Sequence, residues 1–574
     1  MNQSPFALLA LAIAAVLGAA EAPPDAVFFN GKVLTVDPAF RVFEALAVRD
    51  GRIVATGSNA GMRALAAPGR TQIHDLGGRM VLPGLIDSHV HAPAAAIFEV
   101  DHEVPEMETI ADVLAYIRAR TQVVPEGQWI QTSQVFITRL KESRYPTRAE
   151  LDAVAPKHPV NFRTGPDNSL NTLALRKCGF DRHFTVKDGG PGYLEKDANG
   201  EPNGIVRGLQ RFIKAPAARA VSEADQQARL AALFRDYNQI GFTAIGDKGA
   251  SPASIRNYQA MRERGTLSVR VALSQTFPTV GKMDSILEAI DQIAASPLRR
   301  EDGWLRLIGT KIWLDGGMLT GSAYMLAPWG RNEGYGIRDD DYRGVLNVPP
   351  DRLQEMVRRV AGHGMQFTAH TVGDGASTVL LAAYERLNRE KPIRDLRLSV
   401  SHSNFMTRES VELAARLGVV LDIQPIWLYL DTRTLVNQFG YDRLRYFQPL
   451  KSIFAAGGVA GGGSDHMLKI GDLRAINPYN PFLAMWTTIT RHAKWYDGQL
   501  HPEEALTRQQ AIEFYTRHNA YLLFWEKEIG SLEPGKRADF VVVDRDLLTC
   551  PIDELKDTRV LQTWLEGREV YRRP

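Results

Sequence analysis

The sequence predicts an α/β protein in which a barrel of eight parallel β-strands is flanked by a β-sandwich built from both ends of the chain. Three observations support this fold class. Strand-like and helix-like segments alternate from residue 81 onward, as they do where helices connect parallel strands. Short strands with tight turns occupy residues 26–80, and strand-rich sequence returns at 538–546 and 560–571. Polar residues recur where the central strands end.

Composition limits the functions open to the chain. Its 574 residues, 44% hydrophobic and 23% charged, suffice for two or three globular domains. The 68 basic and 66 acidic residues nearly balance, so neither nucleic acid nor an anionic membrane is predicted as a partner. The two cysteines form no CxxC pair, which argues against a zinc ribbon or a disulfide framework.

The N-terminus resembles a secretory signal peptide. Residues 6–20 form an apolar run too short to span a bilayer comfortably, and Ala20-Glu21-Ala22 supplies small residues for cleavage near Ala22. Residues 1–22 are therefore interpreted as a signal peptide of a secreted or periplasmic protein that has no stable membrane span after its removal. The first five residues carry no lysine or arginine, so an uncleaved membrane anchor is the alternative.

The β-sandwich is predicted from residues 23–80 together with 525–574. Asn30-Gly31 and Asp50-Gly51 lie between alternating segments, and such pairs accept the positive φ angles of tight hairpin turns. Because chain termini often lie close together, both ends are expected to meet in this domain.

Residues 81–524 are predicted to form a (β/α)8 barrel of the TIM type. Eight apolar segments are strand candidates: 81–91, 241–247, 269–275, 307–316, 366–373, 397–404, 419–425 and 459–465. Helical blocks with apolar residues at three- and four-residue spacing lie at 221–238, 282–295, 351–363, 375–389 and 407–417. Residues 93–235 do not fit this period and are interpreted as an insertion after the first strand that covers the barrel mouth. The polar, glycine-rich loop 329–343 is a second candidate cap.

The first barrel strand carries a candidate metal site. Its apolar run ends in Asp87, His89 and His91, and alternation along a strand projects the two histidines to the same side. Neutral imidazole is a common metal ligand, and a nearby carboxylate suits an outer position. Two surface histidines on a loop are the alternative, and the pair alone binds no ion tightly.

Four further polar residues stand at the ends of later strands. Lys311 lies in an apolar strand, and His370, His402 and Asp465 each follow one. Barrel enzymes keep their chemistry at this end of the barrel. Each residue alone has a structural explanation, such as a core histidine, a helix N-cap or a snorkelling lysine. Their recurrence at equivalent strand ends favours one shared site.

These segments resemble the amidohydrolase superfamily, and more narrowly its branch with the N-substituted formamide deformylases. The resemblance covers nearly the whole chain after residue 22, and its motifs occur in family order: DSHVH (87–91), TKIWLDGG (310–317), AHTVGD (369–374), VSHSN (400–404), GGSDHM (462–467) and LEPGKRADFVVVD (532–544). The fold that the resemblance implies is a distorted barrel with a β-sandwich built from both termini.

The resemblance also implies a ligand set for one or two divalent metal ions. His89 and His91 would bind the more buried ion, and His370 and His402 a second one. Lys311 would bridge them after reacting with carbon dioxide to form a carbamate, which requires the neutral amine that burial favours. Nitrogen and oxygen ligands are compatible with zinc, and also with manganese, iron or cobalt.

The resemblance implies that Asp465 is the catalytic residue. It would bind the buried metal weakly, accept the proton of the attacking water and return that proton to the leaving amine. Metal-activated hydroxide would be the nucleophile.

Substrate contacts are predicted at Asp374, His466, Trp329 and Trp427. His466 directly follows Asp465, where small residues are common in relatives. Asp374 either orients His370 or touches substrate, and a helix N-cap is the simpler alternative. The two tryptophans belong to a group of aromatic residues that would line an apolar pocket, with core packing as an equal alternative.

The favoured function is thus an exported metal-dependent amidohydrolase that cleaves a carbon–nitrogen bond of a small organic or N-acyl substrate. Ester or lactone hydrolysis by the same site is the first alternative, because an activated hydroxide does not itself choose nitrogen over oxygen. A barrel that has lost its chemistry is the second. The sequence leaves a homodimer open.

Overall fold

The computed structural model describes residues 22–133, 135–165, 167–187, 192–216, 220–300 and 302–574. The predicted signal peptide, residues 1–22, lies outside these ranges except for Ala22. Within them, no helix has the length and apolar character needed to cross a membrane.

The elements follow in chain order. Up to the first barrel strand they are β1 (Ala26–Phe29), β2 (Lys32–Leu34), β3 (Val42–Phe43), β4 (Ala45–Arg49), β5 (Arg52–Gly57), α1 (Asn59–Ala64), β6 (Gln72–Asp75), β7 (Met80–Pro83) and β8 (Leu85–Val90). The insertion and its flanks contain α2 (Ala92–Ile97), α3 (Ile110–Arg120), β9 (Ile130–Thr132), α4 (Arg148–Val154), β10 (Val160–Thr164), β11 (Asp167–Leu170), α5 (Thr172–Cys178), β12 (Tyr193–Lys196), β13 (Pro202–Arg207) and α6 (Glu223–Gln239).

The remaining elements complete the barrel and return to the sandwich. The first of these are β14 (Phe242–Ala250), α7 (Pro252–Glu263), β15 (Arg270–Thr276), α8 (Met283–Ala294), β16 (Leu305–Trp313), α9 (Pro350–Gly362), β17 (Gln366–Thr371), α10 (Asp374–Glu390), β18 (Ser399–His402) and α11 (Arg408–Leu417). They are followed by β19 (Val420–Ile423), α12 (Pro425–Phe439), α13 (Leu450–Ala455), β20 (Val459–Gly462), α14 (Pro481–Thr490), β21 (His492–Ala493), β22 (Tyr496–Gln499), α15 (Arg508–Phe514), α16 (Arg517–Leu522), β23 (Phe540–Val543), β24 (Val560–Leu565) and β25 (Arg568–Arg572).

Eight parallel strands form the barrel sheet, in the order β20-β19-β18-β17-β16-β15-β14-β8. The ring nearly closes between β8 and the segment after β20, where Val90 forms a bridge with His466 and the Asp465 amide donates to the His89 carbonyl at 2.8 Å. The predicted fold class is confirmed, with strand ends that differ by a few residues from those expected.

The segment 81–91 forms two strands instead of the single one expected. β7 belongs to the sandwich, β8 to the barrel, and Gly84 separates them. A Cβ atom at Gly84 would lie 2.1 Å from Oγ1 of Thr243, so a larger residue would clash with β14 where the chain passes from one sheet to the other.

Both ends of the chain meet in one six-stranded sheet, in the order β25-β24-β23-β7-β2-β3. β23 runs antiparallel to β7, with Val541 opposite Leu82. A second sheet, β5-β4-β1-β6, packs on it through Phe28, Phe540 and Trp564. The exact domain boundaries, 23–80 with 525–574 and 81–524, stay a prediction.

The insertion has a sheet and a core of its own. Its strands run in the order β12-β13-β11-β10-β9, and β9 and β10 share a buried cluster with helices α3 and α4. Helix α6, at the end of the predicted insertion 93–235, packs instead on α2, β14 and β24. It therefore belongs to the wall of the barrel.

Candidate active site

The barrel brings the predicted metal ligands to one end. Because parallel strands present their carboxyl ends on the same side, residues at the ends of different strands become neighbours. β8, β16, β17 and β18, and the turns after β8 and β20, supply these side chains: His89, His91, Lys311, His370, His402 and Asp465.

The imidazoles and the carboxylate form one continuous cluster. Oδ1 of Asp465 lies 3.4 Å from Nε2 of His89 and 3.2 Å from Nε2 of His91. Donor atoms of these three residues all lie within 4.8 Å of one another, close enough to bind one metal ion. The ring of His402 lies 4.8 Å from that of His89 and 4.4 Å from that of His370, between centroids.

Strand β19 and the residue after it fix the orientation of two of these histidines. Asp422 accepts a hydrogen bond from Nδ1 of His89 at 2.7 Å. Nδ1 of His402 lies 2.7 Å from Oε1 of Gln424, whose amide nitrogen donates to Asp422 at 3.1 Å. Because that amide nitrogen donates to Asp422, the amide oxygen faces His402 and accepts a hydrogen bond from its Nδ1–H. Both rings thus keep Nε2 unprotonated and directed toward the cluster, as a metal ligand requires.

Burial sets the protonation state of the histidines. It lowers the pKa of His370 to about 3 and the pKa values of His89 and His402 well below the usual range, and the charge of Lys311 adds to each shift. These imidazoles are therefore neutral near pH 7. A neutral ring offers a lone pair to a cation, whereas an imidazolium does not.

The cluster contains buried polar atoms that the described residues leave unpaired. Nε2 of His89 and Nζ of Lys311 are both buried without a hydrogen-bond partner there. Leaving such atoms unpaired costs about 1–3 kcal/mol each. Burial also lowers the pKa of Lys311 to about 8, although the negative charges of Asp422 and Asp465 act to raise it. Nitrogen and oxygen donors with free lone pairs fit a divalent metal ion at this position.

Three site residues adopt a backbone conformation that is unusual for their type. φ is 77° at His402, 46° at Ser403 and 53° at Asp465. Such positive φ values cost non-glycine residues about 1–3 kcal/mol each and cluster at functional sites. The surrounding hydrogen bonds therefore hold these three residues against local strain.

A cavity of about 550 Å³ opens above the cluster. Its walls are largely apolar and aromatic, with Phe136, Trp313, Met318, Trp427 and Met467 among the lining residues. Trp427 stacks on the ring of His402 at 4.9 Å between centroids, so this predicted substrate contact does lie in the cavity. The volume suits a small organic molecule.

The other three predicted substrate contacts lie outside the lining of this cavity. Trp329 is buried at the start of the loop 329–343, and its Nε1 donates to the Ala323 carbonyl. Both ring nitrogens of His466 are engaged, Nδ1 with Tyr237 and Nε2 with the Lys469 carbonyl. The hydrogen bonds of Trp329 and His466 thus lie within the protein core, and their contact with substrate stays a prediction.

Asp374 makes its hydrogen bond to the protein backbone. It begins helix α10, and its carboxylate accepts the backbone N–H of Leu326 at 2.8 Å. Gly373 is the N-cap of α10 and makes no side-chain cap hydrogen bond, so Asp374 is the first helical residue and does not have the N-cap role considered as its alternative. Its contact with substrate stays a prediction.

Several residues of the site were missed by sequence reasoning. Asp422, Gln424 and Asn477 hold the predicted ligands, and Asp315 lines the cavity. Burial raises the pKa of Asp315 to about 7, although three backbone N–H groups donate to its carboxylate. An acid inside the apolar segment 419–425 was a usable signal for Asp422. Asn477 lies in an irregular loop and offered none.

An α/β barrel with imidazoles and a carboxylate gathered at its C-terminal mouth has the arrangement of the metal-dependent hydrolases. The chain belongs to the Amidohydrolase family, whose sequence model matches residues 72–571. It is therefore an enzyme, a hydrolase acting on carbon–nitrogen bonds other than peptide bonds.

The chain is also similar to known proteins, in sequence or in fold. The chain is 27% identical over 568 residues to the N-substituted formamide deformylase of Arthrobacter pascens, covering 96% of this chain and 98% of the relative. A metal-dependent hydrolase of Pyrococcus horikoshii OT3 has a similar fold, with a TM-score of 0.68, 20% identity and coverage of 92% and 99%. An adenosine deaminase of Xanthomonas campestris with bound zinc follows at a TM-score of 0.53, 16% identity and coverage of 95% and 93%.

Proposed function

We propose that the chain is an exported amidohydrolase that cleaves an amide-type carbon–nitrogen bond of a small organic or N-acyl substrate. The observation that carries the proposal is the pair of unpaired buried nitrogens, on His89 and Lys311, beside Asp465 beneath an apolar cavity. Most buried polar atoms in proteins are paired, so two unpaired nitrogens beside a buried carboxylate favour a site that binds a ligand.

The ligand set would hold one or two divalent ions, with zinc the first candidate. His89, His91 and Asp465 would bind one ion, and His370 and His402 a second. A bound divalent ion supplies a nucleophilic hydroxide at neutral pH and polarises the scissile carbonyl. We assign Lys311 as the bridging residue in its carbamate form, because its amine is buried, unpaired and adjacent to both groups of histidines.

Asp465 moves the proton in this scheme. Its Oδ1 faces the two histidines of β8 and accepts the proton of the attacking water. The same oxygen returns the proton to the amine nitrogen when the tetrahedral intermediate collapses. Trp427 and Phe136 wall the cavity and exclude water from an apolar substituent of the substrate.

The relative from Arthrobacter pascens suggests the bond to test first. It is named for the deformylation of N-substituted formamides, and the chain covers nearly its whole length. N-substituted formamides are therefore the first candidate substrates, and the aromatic walls of the cavity favour an aromatic substituent.

Export is proposed from residues 1–22 alone. The apolar run and the small residues around Ala22 support cleavage there. N-terminal sequencing of the protein recovered from periplasm or medium should find a chain that begins near Ala22. A full-length protein retained in the membrane fraction would indicate an uncleaved anchor instead.

A matched amide and ester test the reaction. The metal-loaded enzyme should hydrolyse N-benzylformamide with a higher kcat/KM, relative to the uncatalysed rate, than benzyl formate. Hydrolysis of the ester alone would replace the proposal with an esterase, and cleavage of neither compound nor of other N-acyl amines would refute it.

A further inference from the structure

The insertion reaches the catalytic carboxylate through Arg139, which ends the short helical turn Ile137–Arg139. Its Nε and Nη2 both donate to the buried carboxylate of Asp431 on α12, each at 2.8 Å. Its Nη1 donates to Oδ1 of Asn477 and to the Ile476 carbonyl, each at 2.9 Å. The guanidinium is therefore anchored at two of its edges.

Arg139 fixes the orientation of the Asn477 amide. A guanidinium can only donate, so the atom of Asn477 that faces it must be the oxygen. The amide nitrogen is then directed to Asp465, where it donates to the backbone carbonyl at 2.7 Å and lies 3.4 Å from Oδ2. Asn477 itself is 1% exposed, so both contacts are buried.

These contacts fall on the atoms that control Asp465. The residue has φ of 53°, and the Asn477 bond to its carbonyl holds this strained peptide. Oδ2 faces Asn477, whereas Oδ1 faces His89 and His91. The two carboxylate oxygens thus have separate neighbours, and only Oδ1 is presented to the cluster.

We propose that Arg139 and Asn477, termed here the Arg139–Asn477 bridge, position Asp465 for proton transfer, so that the insertion completes the active site as well as covering it. The inference rests on the proposed role of Asp465. Arg139 is a positioning residue, because it does not line the cavity and reaches Asp465 only through Asn477. Asn477 does line the cavity, and the role proposed for it is to hold Asp465.

Other contacts join the insertion to the barrel without approaching the site. Arg433 of α12 donates to the Leu140 carbonyl at 2.9 Å, and Thr434 donates to the Thr138 carbonyl at 2.8 Å. Loss of these contacts would loosen the insertion but leave the Arg139–Asn477 bridge in place. Arg433→Ala is therefore a matched control for a purely structural role.

Two variants remove the bridge without leaving a buried charge unpaired. Asn477→Ala keeps the Arg139–Asp431 ion pair, and the double variant Arg139→Met with Asp431→Leu replaces that pair by apolar side chains of similar size. A carboxylate displaced by about 1 Å can lose about 100-fold in rate. We expect a loss of that order in kcat on N-benzylformamide for both variants, with KM nearly unchanged, and a change within about twofold for Arg433→Ala.

Chemical rescue separates positioning from folding. Arg139→Ala should regain kcat when guanidinium is added at millimolar, non-denaturing concentration, because the added ion can replace the donor to Asn477. Asn477→Ala lacks the amide and should not respond. Equal losses of kcat in Arg433→Ala and Asn477→Ala, or normal kcat in Asn477→Ala, would overturn the proposal.

Crystal structures supply a readout that needs no substrate. In Asn477→Ala the Oδ1 atom of Asp465 should move from its position 3.2 Å from Nε2 of His91, whereas in Arg433→Ala it should stay. If the wild-type enzyme cleaves no formamide, the proposed function fails, and this comparison alone decides the proposal. An unmoved Asp465 in Asn477→Ala would overturn it.

Discussion

Two buried charged regions of this molecule are built in opposite ways. Where the barrel meets the sandwich, Arg270 is 1% exposed and donates to Asp539, to Glu566 and to the Gly303 carbonyl. At the barrel mouth Lys311 is equally buried, yet its Nζ has no hydrogen-bond partner among the described residues. Both regions bury a charged side chain. They differ in whether all hydrogen-bond donors of that side chain have partners.

The difference distinguishes a structural ion network from a ligand site. A saturated network has no capacity for another group, and breaking it leaves a buried charge unpaired. An unsaturated cluster keeps lone pairs that an ion or substrate can use. Four variants can break or sharpen this contrast.

The largest effect is expected for Asp465→Asn. The amide has the shape of the carboxylate but cannot take up a proton, so kcat should fall about 10³-fold. Metal content and the free energy of unfolding should change little, because Asp465 is only one of several proposed ligands. Steady-state kinetics with metal analysis measures both, and a near-normal rate would refute the proton-transfer role.

Lys311→Met should remove at least one metal ion per chain. The variant loses the proposed bridging ligand but keeps the buried aliphatic stem, so the metal-free protein should be no less stable than the wild type, because the Lys311 amine makes no hydrogen bond among the described residues. Metal analysis and denaturant unfolding of the apo protein measure the two effects. Unchanged metal occupancy would show that Lys311 is no bridge.

Arg270→Met should show the reverse pattern. It leaves the Asp539 carboxylate buried without its partner, which is expected to cost about 3–5 kcal/mol of stability. The folded fraction should bind metal and turn over substrate normally. Chemical denaturation and the specific activity per folded molecule measure this, and a selective loss of metal would mean that the two regions are coupled.

The smallest effect is expected for Asp422→Asn. The amide keeps the shape of the carboxylate but makes a weaker hydrogen bond to Nδ1 of His89. Loss of an outer partner of a metal-binding histidine typically lowers metal affinity about 10–100-fold. Competition with a chelator measures the affinity, with Ser401→Ala, which removes a weaker donor to Asp422, as the control. Equal affinities in Asp422→Asn and wild type would remove Asp422 from the site.

Sequence analysis predicted the features that recur with the strand–helix period of the barrel. The barrel strands follow a regular period, so polar residues such as His370 and His402 could be assigned to one end of the barrel from the sequence alone. It does not reach features that depend on side-chain contacts between distant segments. Trp329 and His466 are predicted to contact substrate, but their hydrogen bonds are made within the core and neither lines the cavity.

The same limit explains the residues that were missed. Arg139 and Asn477 are separated by more than half of the chain and lie outside regular strands, so no periodicity relates them. Only the packing of the insertion on the barrel brings them together. Gly84 shows the same limit on a smaller scale, since Thr243, which leaves no room for a Cβ atom at Gly84, approaches from another strand.

Metal analysis of the purified protein, combined with anomalous scattering from its crystals, tests the central claim most directly. The unsaturated cluster should contain at least one equivalent of a divalent ion per chain, with an anomalous peak within coordination distance of His89, His91 and Asp465. Well below one equivalent, with no peak at this position after soaking in zinc, would contradict the assignment of the barrel mouth as a metal centre.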